Sequence, residues 1–191
     1  STPHDEDYYK FTIPSKGELS LALQTSGKLA YAQIKTHRLI LFDTGETKIA
    51  EYEIYDSLEG SIGITEPGTY YAKISRVSGS DAPDLNDTNQ YRFTASFNGE
   101  SSIEFESESN GSIDTANNLT LGSPIKGRLT DRSDDDYYRI SISEPSELSI
   151  VFNSPTNNGL YNYFKVSISE YRNNKLASYL TGMNLTEQIS I

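Results

Sequence analysis

The feature that most constrains the fold is a stretch of nine residues that occurs twice. Residues 5–13 are Asp-Glu-Asp-Tyr-Tyr-Lys-Phe-Thr-Ile, and residues 134–142 are Asp-Asp-Asp-Tyr-Tyr-Arg-Ile-Ser-Ile. A shift of 129 positions (134 minus 5) aligns them without a gap and also superposes residues 18–20 on residues 147–149, both Glu-Leu-Ser. Self-similarity at one long period indicates two copies of one domain.

Each copy alternates apolar and polar residues with a period of two. Tyr9, Phe11 and Ile13 fall on one face, and residues 19–23 alternate in the same way, as do residues 148–152 of the second copy. This alternation predicts half-buried strands. The chain also contains fourteen Tyr and seven Phe, which favour strands. Because no stretch has helical spacing, we expect an all-β protein.

The length and the duplication together predict two sandwich domains. A chain of 191 residues accommodates two domains of about 100 residues each. We expect a first sandwich over 1–97, an acidic linker over 98–118 and a second sandwich over 119–191. The second copy has no counterpart of residues 68–74 or 91–97, so its C-terminal part is predicted to be truncated, and the first copy is predicted to lack its N-terminal strand. Because unpaired strand edges leave hydrogen bonds unmade, we expect the polypeptide to continue or neighbouring chains to supply the strands.

The charge balance narrows the classes of partner. The formal net charge is −11 at pH 7, which repels the phosphates of nucleic acids and anionic bilayers. No apolar run approaches the roughly 20 residues that span a bilayer. We therefore expect no nucleic-acid partner and no membrane insertion.

An acidic surface either collects divalent cations or keeps a secreted protein soluble, and charge alone leaves both open. Without Cys, disulfides and thiolate metal sites are excluded.

The sequence contains no persuasive catalytic constellation. It has two histidines, His4 near the start of the chain and His37 in a predicted strand, and neither belongs to a recognisable Ser-His-Asp pattern. A pair of carboxylates acting as in a glycosidase stays formally open, but no motif pairs them. We expect a protein that is not an enzyme.

A cluster of tyrosines in the second copy is a candidate binding surface. Tyrosine stacks on sugars or packs against an extended chain at low entropic cost. Ordinary packing between strands is the alternative. The four candidates are Tyr161, Tyr163, Tyr171 and Tyr179.

Several short motifs together resemble the bacterial pre-peptidase C-terminal domain. The motifs are residues 106–110 (Glu-Ser-Glu-Ser-Asn), 113–117 (Ile-Asp-Thr-Ala-Asn), 127–129 (Gly-Arg-Leu) and 134–138, with residues 67–71 and 91–93 similar to the closing strands of that family. The resemblance covers nearly the whole chain. It implies two jelly-roll-like antiparallel β-sandwich domains in tandem, attached to a secreted bacterial hydrolase such as a metalloprotease or subtilase. The family includes the collagen-binding domains of clostridial collagenases, and its modules are not catalytic.

The same resemblance implies a calcium site. In calcium-binding members of the family, acidic linker residues and an acidic loop close over the metal. The matching positions here are Glu106, Glu108, Asn110, Asp134 and Asp136. Gly111 replaces a residue that is often an acidic ligand, which argues against a second calcium. Independently, Ca²⁺ prefers six to eight oxygen ligands, and a dication would relieve the repulsion within the run 134–136. A solvated acidic turn is the alternative.

These observations lead to one functional expectation and two rivals. We expect a tandem module, extracellular or at the cell surface, that holds an attached hydrolase, in the first place a protease, on its substrate while calcium stiffens the linker. Its partner would be an extracellular protein or polysaccharide polymer, or a cell-surface component. The first rival is a structural repeat of an adhesin or filament, completed by strands from neighbouring chains. The second is a chaperone-like or inhibitory extension that is cleaved after secretion.

Overall fold

The computed structural model describes residues 5–25, 35–77, 90–99, 103–130, 133–154, 163–170, 174–182 and 184–191. Over these ranges all regular secondary structure is β-strand, and every long strand pairs antiparallel. The predicted all-β class is therefore confirmed, whereas the jelly-roll topology and the domain boundaries stay predictions. No helix in the described ranges is long and apolar enough to cross a bilayer. The chain divides into unit 1, residues Ser1–Ile140, and unit 2, residues Ser141–Ile191.

Seven long strands in the described part of unit 1 form a sandwich of two antiparallel sheets. They are β1 (Glu6–Ile13), β2 (Gly17–Thr25), β3 (His37–Phe42), β4 (Lys48–Ile54), β5 (Ser57–Ile64), β6 (Gly68–Arg76) and β7 (Tyr91–Gly99). One sheet has the order β1-β6-β3-β4 and the other the order β5-β2-β7. Side chains from both sheets meet in one core, in which Leu23, Leu39, Leu41 and Ala72 have no exposed surface. Burial of this apolar surface is the main stabilising term of unit 1.

The predicted alternation agrees with the burial along these strands. Tyr70, Ala72 and Ile74 of β6 all point into the core, as the period of two requires. The turn after β3 contains a non-glycine residue in the left-handed region. The left-handed residue is Glu46, at φ 61°. The carboxylate of Asp43 holds this turn by accepting hydrogen bonds from two backbone N–H groups.

The described residues between 103 and 140, here called the 103–140 layer, pack against the β5 side of the sandwich. Its strands are pairs of two residues: β8 (Glu104–Phe105), β9 (Asn117–Asn118), β10 (Ile125–Lys126) and β11 (Tyr138–Arg139). β8 pairs with β10 and β9 pairs with β11, both in parallel. The layer contacts the sandwich through Phe105, which is buried on Gly63, and through Arg128, whose guanidinium donates to the carbonyl of Ser61 and lies over the ring of Tyr52.

The second copy of the duplicated stretch forms much less strand than predicted. β1 pairs with β6 over eight residues, whereas residues 134–142 are strand only in β11. Residues 134–142 form less strand because the described residues of unit 2 include no counterpart of β6 with which they could pair. A strand without a neighbour leaves its backbone hydrogen-bonding groups unpaired.

The described part of unit 2 contains two antiparallel strand pairs. Its strands are β12 (Glu147–Asn153), β13 (Phe164–Ser169), β14 (Lys175–Thr181) and β15 (Asn184–Ser190). β12 pairs with β15, and β13 pairs with β14. The rings of Phe152 and Phe164 lie 5.1 Å apart between their centroids, so β12 and β13 contact each other through side chains. Leu148 and Leu185 are the buried apolar residues of the described part of this unit.

Candidate metal centre

The candidate metal centre lies where residues 106–110 and 134–138 run side by side. The backbone N–H of Tyr137 donates to the carbonyl of Asn110 at 3.0 Å and joins the two stretches. Neither stretch is a continuous strand, and Glu108 lies at a bend, but burial still alternates from residue to residue. Ser107, Ser109 and Asp135 are exposed. The inward positions are the five that the sequence analysis singled out, namely Glu106, Glu108, Asn110, Asp134 and Asp136.

Three carboxylates converge at the centre of this arrangement. One oxygen from each of Glu106, Glu108 and Asp136 lies within 4.8 Å of the other two, and these residues could hold a metal ion. Glu106 is almost completely buried, and the other two are half-buried. Three formal negative charges at this spacing repel one another strongly away from bulk water. The arrangement therefore favours either protonation or a bound cation.

Protein groups hold Glu106 in place on both of its oxygens. Its Oε2 accepts hydrogen bonds from the hydroxyl of Tyr138 at 2.7 Å and from Nδ2 of Asn110 at 3.4 Å. Its Oε1 accepts a hydrogen bond from the backbone N–H of Arg128. The same residue, Arg128, reaches the sandwich with its side chain. Glu106 thus links the carboxylate cluster to the packing of residues 103–140 on β5.

Two buried oxygens at the centre have no hydrogen-bond partner among the described residues. They are Oδ1 of Asn110, whose side chain is completely buried, and Oδ1 of Asp136. Nδ2 of Asn110 donates to Glu106 and to Oδ1 of Asn117, so its amide oxygen is directed away from those groups. Leaving a buried acceptor unpaired is costly. A cation bound by the three carboxylates would satisfy the oxygen of Asp136, and the residues present therefore fit a metal ion.

Asp134 has a different environment from the three converging carboxylates. Its Oδ2 accepts hydrogen bonds from the backbone N–H of Thr130 at 2.6 Å and from the Thr130 hydroxyl at 2.8 Å. The Asp134 charge still acts on the cluster, because it contributes to the raised pKa of both Glu108 and Asp136. Asp134 therefore binds Thr130 and adds negative potential to the site.

The electrostatics of the cluster favour the protonated acids when no cation is present. Burial, together with the charges of Glu106 and Asp134, raises the pKa of Glu108 to about 7. Burial and the neighbouring Glu106 raise the pKa of Asp136 to about 8. The pKa of the Tyr138 hydroxyl is also raised, first by burial and then by its hydrogen bond to Glu106. Shifts of this size occur where desolvation and like charges act together.

The remaining predicted site residues are placed as follows. Tyr163 precedes β13 and is 66% exposed, whereas Tyr179 is half-buried on β14, opposite Val166. Tyr161 and Tyr171 lie outside the described residues. His37 is buried, its Nδ1 lies 2.8 Å from the hydroxyl of Thr36, and burial lowers its pKa.

The sequence motifs did not indicate the groups that support the cluster. Tyr138, Arg128 and Asn117 were noted only as parts of motifs, yet the first two bind Glu106 and the third binds the backbone of Ser107 on both sides. Gly127 was missed as well: a Cβ at this position would overlap Glu106 and Tyr138. These residues lie close in sequence to the carboxylates of the motifs, and this closeness was the available signal. It does not show which atoms contact each other.

Comparisons with known proteins assign no family. No protein-family model matches the chain, and no curated protein matches it. The resemblance to the pre-peptidase C-terminal domain therefore stays a prediction that rests on the motifs alone.

Proposed function

We propose that this chain is a calcium-stabilised, non-catalytic β-sandwich module of a secreted bacterial hydrolase, in the first place a protease, and that it holds this enzyme on a polymeric substrate or surface. The observation that carries the proposal is the convergence of three carboxylates, one of which, that of Asp136, has a buried oxygen without a hydrogen-bond partner among the described residues. The attachment role rests on the motif resemblance. The extracellular location follows from the same resemblance.

The donor set favours calcium over other metals. All candidate donors are oxygens: the carboxylates of Glu106, Glu108 and Asp136 and the amide of Asn110. Hard oxygen donors suit Ca²⁺ and Mg²⁺ better than metals that prefer nitrogen or sulfur. Mg²⁺ keeps several waters and usually takes one or two protein carboxylates, whereas Ca²⁺ accepts six to eight oxygens in flexible geometry. Three carboxylates and an amide oxygen agree better with Ca²⁺.

Calcium in this position would stiffen unit 1. It would neutralise the repulsion between residues 106–108 and 136, which lie in two separate stretches of the chain. Glu106 is bonded to the backbone of Arg128, and the Arg128 side chain binds Ser61 and packs on Tyr52 of the sandwich. A cation at the cluster would therefore hold the 103–140 layer against the sheets.

Two features support a non-catalytic role. The inward carboxylate of Glu106 is occupied by hydrogen bonds from the protein itself. A shallow depression of about 360 Å³ on the outer face of the β5-β2-β7 sheet is lined mainly by Ser, Thr, Ala and Gly, with Glu59 as its one charged residue. Catalysis by acids and bases requires positioned titratable groups in a cleft, and this depression does not contain such a set.

The calcium proposal predicts a metal-dependent melting temperature. A ligand at about 100 times its dissociation constant stabilises the folded state by roughly 2.7 kcal/mol, which corresponds to about 5 to 10 °C for a domain of this size. We expect this rise when millimolar Ca²⁺ replaces a chelator. Asp136→Asn should abolish it, because the substitution removes one of the three converging charges.

The matched control is the neighbouring residue. Asp135 is exposed and points away from the cluster, so Asp135→Asn should leave the calcium-dependent shift unchanged. Equal melting in chelator and calcium for the unmodified chain would refute the metal site. The attachment role is tested separately by cosedimentation with insoluble proteins and polysaccharides, and failure to sediment with any of them would refute attachment without touching the metal site.

A further inference from the structure

The strand pairing of unit 2 reproduces part of unit 1 residue for residue. A shift of 127 (164 minus 37) carries β3 and β4 onto β13 and β14: Leu41 is opposite Ala50, and Ile168 is opposite Ala177. Both pairs are irregular at the same step, between residues 41 and 42 and between residues 168 and 169. The β12–β15 pair likewise repeats the β2–β5 pair. Unit 2 is therefore built on the same plan as residues 17–64.

The hydrogen bond that joins the strands next to each turn repeats as well. The backbone N–H of Asp43 donates to the carbonyl of Thr47 at 2.9 Å, and the N–H of Glu170 donates to the carbonyl of Asn174 at the same distance. The shift is again 127. Since the pairing register and the hydrogen bond that closes each turn both agree, the positions of unit 1 identify which strand neighbour each element of unit 2 is built to accept.

In unit 1 the strand β3 has neighbours on both sides, whereas its counterpart has one. β3 pairs with β4 and with β6, while β13 pairs only with β14 in the described part of unit 2. The second edge of β13 therefore exposes backbone N–H and C=O groups without a strand partner among those residues. Such an edge is a template for another strand.

Side-chain burial supports the same conclusion. Leu39 and Leu41 of β3 are completely buried. Their counterparts Val166 and Ile168 occupy the inward positions of β13 but remain only half-buried. The in-sheet neighbour of these residues in unit 1 is β6, which places Ile74 opposite Leu39 and Ala72 opposite Leu41. Apolar surface that a neighbouring strand would cover is thus left partly in contact with solvent.

We propose that the free edge of β13 binds an extended β-strand with the pattern of β6, antiparallel and in the register that unit 1 uses. The occupant carries apolar residues at alternate positions, as Tyr70, Ala72 and Ile74 do, with polar residues between them. Backbone hydrogen bonds supply affinity, and the alternate apolar side chains supply the register. In this register Ile74 of the pattern lies opposite Val166 and Ala72 lies opposite Ile168. The inference does not depend on the metal site.

The test uses the full chain and a synthetic peptide with the sequence of residues 67–77, blocked at both ends. Hydrogen exchange of backbone amides is followed by NMR or mass spectrometry. We expect the peptide to slow exchange in β13 at least about tenfold, since a paired amide exchanges only when the pairing opens. Exchange in β3 should be unchanged, because its β6 neighbour is already in place.

Two matched controls separate strand docking from general binding. A peptide with Ile74→Asp should give no protection, because it places a carboxylate beside Val166. In the chain, Val166→Ala should weaken peptide binding, whereas Val151→Ala should not, since Val151 is 64% exposed on β12. Circular dichroism checks that both variants keep their strands.

Each contrary outcome overturns the proposal. Amides of β13 that exchange as slowly as those of β3 without peptide would mean that the edge is already paired. Protection that grows with the concentration of the chain alone would assign the edge to a second copy. Protection confined to β14 or β15, or no protection at millimolar peptide, would show that the β13 edge does not accept this strand.

Discussion

Three glycines in or against the 103–140 layer lie where another part of the chain approaches the backbone closely. A Cβ on Gly60 would meet the guanidinium of Arg128, one on Gly63 would meet the ring of Phe105, and one on Gly127 would meet Glu106 and Tyr138. These contacts connect the sandwich to the carboxylate cluster. Glycine is needed at these three positions because even a methyl group would occupy space that a neighbouring side chain already fills.

Gly127→Ala is expected to destabilise the chain by about 1 to 3 kcal/mol, as overpacking of a filled site does. The added methyl displaces Glu106 or Tyr138, so calcium binding should weaken as well. Gly111→Ala is the matched control, because its Cβ would be 3.6 Å from the carbonyl of Asp135, an ordinary contact. Urea denaturation with and without Ca²⁺ measures both effects. Equal stability of the two variants would contradict the tight packing at Gly127.

At the scale of elements, β5 shows where reasoning from sequence failed. Its sequence Ser-Leu-Glu-Gly-Ser-Ile-Gly-Ile contains two glycines, which weaken an isolated strand, and the sequence analysis did not predict it. The apolar positions Ile62 and Ile64 do alternate and are buried. The glycines are there because the 103–140 layer packs on them, and that contact joins residues more than 40 positions apart.

When calcium is absent, the two acidic stretches should make the stability of the folded state depend on pH. The pKa of Glu108 and of Asp136 is raised in the folded state to about 7 and about 8, above ordinary values near 4. The folded state therefore binds more protons, and the stability that these groups contribute is complete below about pH 4 and is lost as pH rises through 7 to 8. Binding of Ca²⁺ displaces those protons and should tighten over the same range.

Asp136→Asn makes this dependence measurable, because an amide resembles the protonated acid. In chelator at pH 8.5 the variant should melt at a higher temperature than the unmodified chain, and the difference should shrink toward pH 5. In millimolar Ca²⁺ at pH 8.5 the order should reverse. Thermal melts of both proteins between pH 5 and pH 8.5, in chelator and in Ca²⁺, test this reversal in the order of melting temperatures. A variant that melts lower in chelator at pH 8.5 would mean that the carboxylates do not repel one another in the folded state.

At the scale of the whole molecule, the two units differ in how completely their strands are covered. Fourteen buried apolar residues form the core cluster, and all of them lie in unit 1. Unit 2 follows the same strand plan, yet Ile150, the counterpart of the buried Leu21, is only half-buried. Hydrophobic stabilisation grows with the apolar area removed from water. Unit 2 is therefore expected to be the less stable of the two.

Hydrogen exchange of the full chain checks this difference in stability. Amides in β12 and β13 should exchange at least about tenfold faster than those in β2 and β3, because the opening free energy of a segment follows its local burial. Comparing counterpart positions, such as 150 with 21 and 166 with 39, removes most differences in local sequence. Equal protection at these pairs would contradict the lower stability of unit 2.

The sequence by itself determined the β class, the duplicated plan and the residues of the acidic stretches, because period-two alternation and repetition are properties of neighbouring residues. It did not determine that Glu106, Glu108 and Asp136 converge while Asp134 binds Thr130, or that the edge of β13 stands open in the described part of unit 2. Tertiary structure decided these features, because they depend on which distant segments pair and pack. The same alternation is compatible with several strand partners, and only the pairing selects among them.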